Sequence, residues 1–314
     1  MRKVLQLKKH YDIIISLTEH TSISGHFFEA FDYYIFLKQY YLSVGMLFVT
    51  DVDVSEIRIA YEAKYQRGVA PCWNDVRYDL EIISHEEYNN LEFVLLGKTP
   101  ILYVDGSIEQ FRNPTVVADN IFMFRSGVIH YDLYKYVPEF TLLQDERVYS
   151  HLKKPNKCRV VDYVKKINGD CLKEYMDSGE LYLLYLVDAM RYMTLRDVRK
   201  LLDEYEDRNF ILCSYLEEYD SLKEYSTIVL KKPPLYQIWP QIKGYIYTPV
   251  PRQFDSSPRW PFECKHYGKS VEYYNIHYHD PGLEARRWDI ENRFDFLYLR
   301  ENDPILEILD EVIV

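Results

Sequence analysis

The chain has 314 residues, 47% of them hydrophobic, and a formal net charge of −11. That hydrophobic fraction excludes a disordered chain, and the length predicts two domains of ordinary size. The negative balance argues against a broad basic nucleic-acid surface, although Lys153, Lys154, Lys157, Arg159, Lys165 and Lys166 cluster within fourteen residues and allow a local basic cleft.

Five cysteines (Cys72, Cys158, Cys171, Cys213 and Cys264) show no paired or CxxC spacing. Neither a disulfide framework nor a structural zinc is expected, and the usage fits a reducing compartment. The apolar run within MRKVLQLKKHYDIIISL is too short for a signal core or a membrane span. A soluble, cytoplasmic protein with no membrane partner is therefore expected. The 31 tyrosines outnumber the 15 phenylalanines, but they are spread along the chain, which makes most of them structural.

Residues 11–17 (YDIIISL) read as a buried strand, residues 27–41 as a helix after a turn at Gly25, and residues 45–50 (GMLFVT) as a second strand. This is a βαβ opening. The loop at the carboxyl end of its first strand faces the crevice where such sheets bind ligands. Glu19, His20, Ser24, Gly25 and His26 are thereby cleft candidates. His20 or His26 could take a proton from a hydroxyl near neutral pH, with Glu19 as an alternative base and Glu29 a weaker one. Each is equally readable as a capping or solvated loop residue.

Asp51-Val52-Asp53 follows a strand and looks like the DxD that holds a metal in GT-A glycosyltransferases. A polar strand-to-helix turn is the favoured reading, because the rest of the chain divides into two halves. Residues 55–66 predict a helix with Ser55 as its N-cap, and residues 92–96, 100–104 and 116–124 predict strands. Residues 141–144 read as the last strand of the first half, and HLKKPN at 151–156 as the boundary.

The second half opens with a strand at 158–164 that ends in Lys165-Lys166. Those ammonium groups would lie at the ligand edge of a parallel sheet, or simply at an exposed strand end. Strands follow at 181–187, 210–215, 228–230 and 245–248. Between them come a helix at 194–208, a polar link at 219–225 and a short helix at 235–242. Thr194 with Asp197 forms a helix-start signature, and the strand–helix alternation is that of a parallel sheet.

The stretch 244–274, GYIYTPVPRQFDSSPRWPFECKHYGKSVEYY, organises the rest. Ser257-Pro258-Arg259 opens a helix, because serine caps free amides and proline has none to lose. The helix start beside Arg252 and Arg259 is a place for phosphate. Glu263 sits one turn in, and Gly268-Lys269 ends the helix before a last strand at 270–274.

This block resembles the donor-binding end of GT-B glycosyltransferases. The match is carried by Ser257-Pro258-Arg259, Glu263 and Gly268-Lys269-Ser270-Val271. With its lead-in YTPVPRQFD, the block is similar to tailed-phage glycosyltransferases. The resemblance implies an α/β fold with two Rossmann-like domains facing a cleft. Residues 1–152 would form the acceptor side, 153–290 the donor side, and 291–314 helices packing back on the first domain.

The resemblance also implies a nucleotide-sugar donor, a UDP-sugar first of all, with no tightly bound cofactor and no required divalent metal. Arg252, Ser257, Arg259, Lys165 and Lys166 would meet the diphosphate and Glu263 the ribose. His20, His26 or Glu19 would serve the acceptor hydroxyl beside Ser24 and Gly25. The phage likeness raises hydroxymethylated DNA (5-hydroxymethylcytosine) as acceptor and the host cytoplasm as location. A polysaccharide or other non-DNA acceptor is the alternative, and so is a non-catalytic nucleotide-binding phage protein of the same fold. An oxidoreductase is disfavoured, because no G-x-G-x-x-G follows the first strand. His277 and His279 lack a third metal ligand at a recognised spacing. Arg286 and Asp289 belong to a segment that also reads as a surface helix.

Overall fold

A computed structural model of the chain describes residues 4–7, 9–18, 23–65, 70–104, 114–118, 120–125, 140–143, 157–160, 179–186, 193–213, 217–225, 228–230, 238–248, 259–274, 304–311 and 313. The chain is α/β and forms two compact units, each built on a parallel sheet. Unit 1 comprises Met1–Ile167, Asp255–Ser257 and Asp295–Val314, and unit 2 comprises Asn168–Phe254 and Pro258–Phe294.

Unit 1 runs β1 (Val4–Gln6), β2 (Ile13–Thr18), α1 (Gly25–Leu37), β3 (Val44–Val49), α2 (Val54–Tyr65), α3 (Trp73–Tyr78) and β4 (Leu80–Ile83). It continues with α4 (His85–Asn89), β5 (Phe93–Gly97), β6 (Ile101–Tyr103), β7 (Thr115–Ala118), β8 (Ile121–Arg125), β9 (Phe140–Leu143) and β10 (Lys157–Val160). Seven strands form the main sheet in the order β10-β9-β8-β6-β2-β3-β4, with every pairing parallel. β2 and β3 are buried nearly throughout, which explains their unbroken apolar sequences. α1 covers them with Phe27 and Phe31, whose rings meet Phe48 edge-on at 5.5 Å, and Phe31 meets Tyr61 of α2 at 4.9 Å. Each such buried ring contributes roughly 1.5–3 kcal/mol over an exposed one.

Three expectations change here. The strand expected at 116–124 is two strands in different sheets. β7 pairs β5 in a three-stranded sheet ordered β1-β5-β7, while β8 pairs β6 in the main sheet. β7 alternates between exposed and half-buried positions, so only one of its faces is covered. The expected cap of α2, Ser55, lies inside the helix, and Asp53 accepts its amide hydrogen bond at 2.7 Å instead. Finally, the strand expected to open the second half is β10, which pairs β9 within unit 1 in the register Cys158↔Thr141.

Unit 2 contains β11 (Leu181–Tyr185), α5 (Leu195–Glu204), β12 (Phe210–Cys213), a 3₁₀ segment at Glu217–Tyr225 and β13 (Ile228–Leu230). A 3₁₀ turn at Trp239–Gln241, β14 (Ile242–Tyr247), α6 (Arg259–His266) and β15 (Ser270–Tyr273) complete it. The order is β13-β12-β11-β14-β15, again all parallel. The helix expected at 235–242 is this short turn among the described residues, and Ile242 already belongs to β14.

α5 begins with the expected capping box. Thr194 accepts from the Asp197 amide, and Asp197 accepts from the Thr194 amide at 2.8 Å. It ends earlier than expected, because Tyr205 leaves helical geometry at φ −118° and ψ 39°. Leu184, Leu186 and Ile246 pack against Val198, Leu201 and Leu202 of α5. Alternation in β11 and β14 sends Tyr185, Tyr245 and Tyr247 to the opposite face. There Trp260 of α6 lies 5.9 Å from Tyr185, 6.3 Å from Tyr245 and 4.8 Å from Trp239. One side of the sheet thus holds an aliphatic core bordered by Phe210 and tyrosines, and the other an aromatic layer around Trp260.

The last described helix, α7 (Pro304–Asp310), belongs to unit 1, and the Tyr41 hydroxyl donates to Asp310 Oδ1 at 2.8 Å. Among the described residues, no helix is long and apolar enough to cross a membrane.

Candidate functional site

The strand order of unit 2 reverses between β11 and β14. The chain leaves β11 toward β12 and leaves β14 toward β15, so the connections diverge and open a crevice at the carboxyl ends of these two strands. β14 reaches this edge at Tyr247, with Thr248 buried just beyond it. After residues 249–258, α6 begins at Arg259.

α6 is short and fixed at both ends. Pro261 stands third in the helix, within the first turn, where its missing amide costs no helical hydrogen bond. At the other end Gly268 adopts φ +70°. Its amide bonds the Lys265 carbonyl at 3.1 Å, and the Lys269 amide bonds the Cys264 carbonyl at 2.7 Å. This is a Schellman termination, which satisfies carbonyls the helix itself leaves open. The glycine read from sequence as a helix stop therefore acts through its left-handed backbone.

Between these ends lie two expected donor-site residues, and they hold each other. Arg259 Nη1 donates to Glu263 Oε1 at 3.0 Å, with the two side chains 11% and 7% exposed. A cation at the first helical position with its anion four residues later is the less favourable order for the helix dipole. Burial of both side chains strengthens their mutual attraction while it strips each of water. The neighbouring Cys264 is no nucleophile. Burial pushes its thiol well above the usual range, the Glu263 carboxylate adds to this, and Lys269 opposes it. Trp260 was not anticipated from sequence. The available signal was a large aromatic at a helix start directly after a proline-rich loop.

Of the other expected donor residues, Arg252, Ser257, Lys165 and Lys166 lie outside the described residues. The placement of Lys165 and Lys166 assumed that they end the first strand of the second half. β10 pairs in unit 1, so that premise fails.

In unit 1 the order reverses between β2 and β6. The β2–α1 connection therefore starts at the corresponding crevice edge of this sheet. Ser24 caps α1, its Oγ accepting from the His26 amide at 3.1 Å, while Gly25 and His26 form the first two helical positions. All three are half-buried. Glu29 is 3% exposed and stands three residues beyond His26, which places it on the same side of the helix. A turn deeper, Asp32 is fully buried and accepts from the Tyr65 hydroxyl, tying α1 to α2. Glu19 and His20 lie outside the described residues.

Asp51 and Asp53 are engaged in capping. Asp53 Oδ1 accepts from the Ser55 amide and hydroxyl, and these bonds hold its carboxyl below the usual range. Asp51 Oδ1 accepts from the His85 amide at 3.0 Å, and its Oδ2 lies 3.3 Å from His85 Nδ1. The two carboxylates start α2 and α4. Among the described residues, no group of three His, Cys, Asp or Glu side chains could hold a metal ion. His277, His279, Arg286 and Asp289 lie outside the described residues.

No protein-family model matches the chain, and no curated protein matches it by sequence. Solved structures similar to it include Anabaena HepE in complex with UDP, at 9% identity and a TM-score of 0.48, covering 96% of this chain and 95% of that one. MnaA of S. aureus with UDP matches at 9% identity and a TM-score of 0.44, covering 91% and 90%. UGT71G1 of Medicago truncatula complexed with UDP-glucose matches at 8% identity and 0.42, covering 96% and 90%.

Proposed function

We propose that the chain is a glycosyltransferase that moves a sugar from a nucleotide-sugar donor, a UDP-sugar, to an acceptor hydroxyl. The supporting observation is the position of α6. It begins beside the β11–β14 crevice, with Arg259 first in the helix and Glu263 one turn further on.

In the reaction the bond between the sugar's anomeric carbon and the diphosphate oxygen breaks, and its electron pair leaves with the diphosphate. The acceptor oxygen bonds the anomeric carbon, and its proton passes to a base. Arg259 and the α6 amides, joined by Arg252 and Ser257, meet the charge developing on the leaving group. Glu263 holds the ribose hydroxyls. His26, His20 or Glu19 takes or orients the acceptor proton, with Ser24 and Gly25 shaping that loop. Because guanidinium and amide groups carry the charge, no divalent metal is required. Hydroxymethylated DNA is one acceptor, whose base would have to leave the stack, and a polysaccharide is the other.

The test is a thermal-shift screen with UDP, GDP, ADP, CMP and the common UDP- and GDP-sugars. A ligand at a hundred times its Kd stabilises by roughly 2.7 kcal/mol. The expected result is a selective rise with UDP and a UDP-sugar, lost in Glu263→Ala. No rise with any nucleotide would overturn the proposal. Transfer from the identified donor to hydroxymethylated DNA or to polysaccharide then names the acceptor, and absence of any turnover leaves a nucleotide-binding protein.

A further inference from the structure

We infer that Asp51, braced by His85, is the residue with which unit 1 holds a hydroxyl of the acceptor, and that the acceptor is an uncharged sugar rather than DNA. The inference rests on the glycosyltransferase reading above and names the acceptor class of that reaction.

Asp51 stands at the carboxyl edge of the main sheet, where open α/β sheets bind ligands. β3 runs beside β2 in the register Thr18↔Val49 and beside β4 in the register Val49↔Ile83. Asp51 follows Val49 by two residues, and His85 follows Ile83 by two. Neighbouring strands lie about 5 Å apart, so Asp51 leaves the sheet one strand from the end of β2, where the connection to Ser24 and His26 begins. The backbone on either side of it is fixed. The Thr50 amide donates to the Ile83 carbonyl at 2.9 Å, and the Val52 amide donates to Thr50 Oγ1 at 3.1 Å. Thr50 and Val52 are buried, while the Asp51 side chain is 48% exposed.

His85 grips the carboxylate twice. Its amide donates to Oδ1 at 3.0 Å, and its Nδ1 lies 3.3 Å from Oδ2. Ser84 already caps α4, its Oγ accepting from the Glu87 amide at 3.1 Å, so the helix does not need the imidazole to start. The second grip instead stops the carboxylate from rotating. Each carboxylate oxygen accepts about two bonds, so a carboxylate held in this way still offers lone pairs to the solvent side. Such a group has no hydrogen of its own and selects a donor. A hydroxyl bonded to it gains a charge-assisted bond, about twice as strong as a neutral one.

The same group disfavours a polyanion. Residues 50–57 and 83–90, which leave β3 and β4, contain Asp51, Asp53, Glu56, Glu86 and Glu87 and neither Lys nor Arg. A phosphodiester backbone is held by Lys and Arg, and like charges set against each other weaken binding. A hydroxymethylated base also brings only the hydroxyl that reacts, which leaves none for Asp51. A sugar ring carries further hydroxyls and no charge, so one can react while Asp51 holds another.

The test compares the methyl glycosides of glucose, galactose, mannose and N-acetylglucosamine with duplex DNA containing 5-hydroxymethylcytosine. Binding is read by NMR titration without donor, and transfer by steady-state kinetics with the UDP-sugar found in the thermal-shift screen. The proteins are the wild type, Asp51→Asn, His85→Phe and His85→Asn, each checked by calorimetry with UDP. At least one glycoside should bind the wild type, and the DNA should not. Asp51→Asn should weaken that glycoside about tenfold, the difference between a charge-assisted and a neutral hydrogen bond, with the change falling on KM rather than kcat and with UDP affinity kept. His85→Phe should weaken it less. His85→Asn, whose amide can donate where Nδ1 stands, should restore the wild-type value, a rescue that a purely structural role for the ring would not give. Transfer to the DNA and to no glycoside overturns the inference and leaves the glycosyltransferase reading standing. Glycoside binding that is indifferent to Asp51→Asn overturns it as well. If the wild type binds no UDP but binds a glycoside that Asp51→Asn loses, the donor reading fails and the sugar site stands. If no glycoside binds the wild type, the inference falls without any substitution, so a variant that does not fold leaves the test intact.

Discussion

Replacing Gly268 by alanine isolates one backbone angle at the candidate site. Gly268 has φ +70°, and a Cβ added there would meet nothing within 4 Å. Crowding therefore contributes nothing, and the whole cost lies in holding an L-residue in left-handed geometry, about 1–2 kcal/mol. The gain from a stiffer unfolded chain, about 0.4–1 kcal/mol, offsets part of it. The expected net loss is about 1 kcal/mol, and Gly268→Asn should lose less, since asparagine tolerates this region. Gly244→Ala in β14 supplies the contrast. Its Cβ would stand 2.1 Å from Ser270 Oγ and 2.8 Å from Tyr182 Cε1, so overpacking of about 1–3 kcal/mol is expected. Removing that Oγ with Ser270→Ala should recover part of the Gly244→Ala loss and none of the Gly268→Ala loss. Urea unfolding followed by tryptophan fluorescence reads mainly unit 2, which contains Trp239, Trp260 and Trp288, and a Trp73→Phe background removes the signal of unit 1. A Gly268→Ala protein as stable as the wild type would refute the left-handed termination of α6. A loss above about 3 kcal/mol would mean that the added methyl meets atoms the structure does not place there.

Thr194→Ala should cost about 1 kcal/mol by breaking the capping box of α5, read as a lower urea midpoint at constant slope. Asp53→Ala should lower the urea midpoint through the start of α2, while nucleotide binding stays insensitive to EDTA; a loss of binding on chelation would restore the metal reading of Asp51 and Asp53. Stability should also fall at alkaline pH. Burial pushes the Cys213 thiol from 9.0 to about 12 and the Tyr88 phenol from 10.0 to about 12, so the folded chain keeps protons that the unfolded chain releases. The loss begins above pH 9 for Cys213 and above pH 10 for Tyr88, and reaches at most about 4 and about 3 kcal/mol near pH 12. Cys213→Ala should flatten the decline between pH 9 and 10 in unfolding curves taken at fixed salt.

Local chemistry was the legible part of the sequence. The Thr194–Asp197 box, the helix stop at Gly268 and the apolar run of β3 each depend on neighbours within a few residues, and each sits where the pattern places it. The errors arose where pairing over long distances decides. β7 and β8 were read as one strand at 116–124 although Asp119-Asn120 interrupts the apolar run; they lie in two sheets, and hydropathy does not record which partner a strand has. β10 reads like the start of something new, but its partner is β9. At α2, two polar residues competed for the cap, and the one whose carboxylate reaches the Ser55 amide prevailed. In the candidate site, the four-residue spacing of Arg259 and Glu263 was visible, while their burial depends on how α6 packs in unit 2, which spacing alone does not record.

The split composition of unit 1 has a consequence for biosynthesis. Apart from Asp255–Ser257, the chain leaves this unit after Ile167 and resumes it at Asp295, with α7 starting at Pro304, 137 positions after Ile167. At roughly 5–20 residues per second, a ribosome spends about 7–27 s on that interval. During it, the surface that Ile305 and Leu309 will cover, both 0% exposed in the finished protein, stands open to water. A nascent unit 1 is therefore expected to keep apolar surface exposed until α7 emerges. Ribosome stalling within unit 2 should yield a first unit that is largely folded yet still sticky.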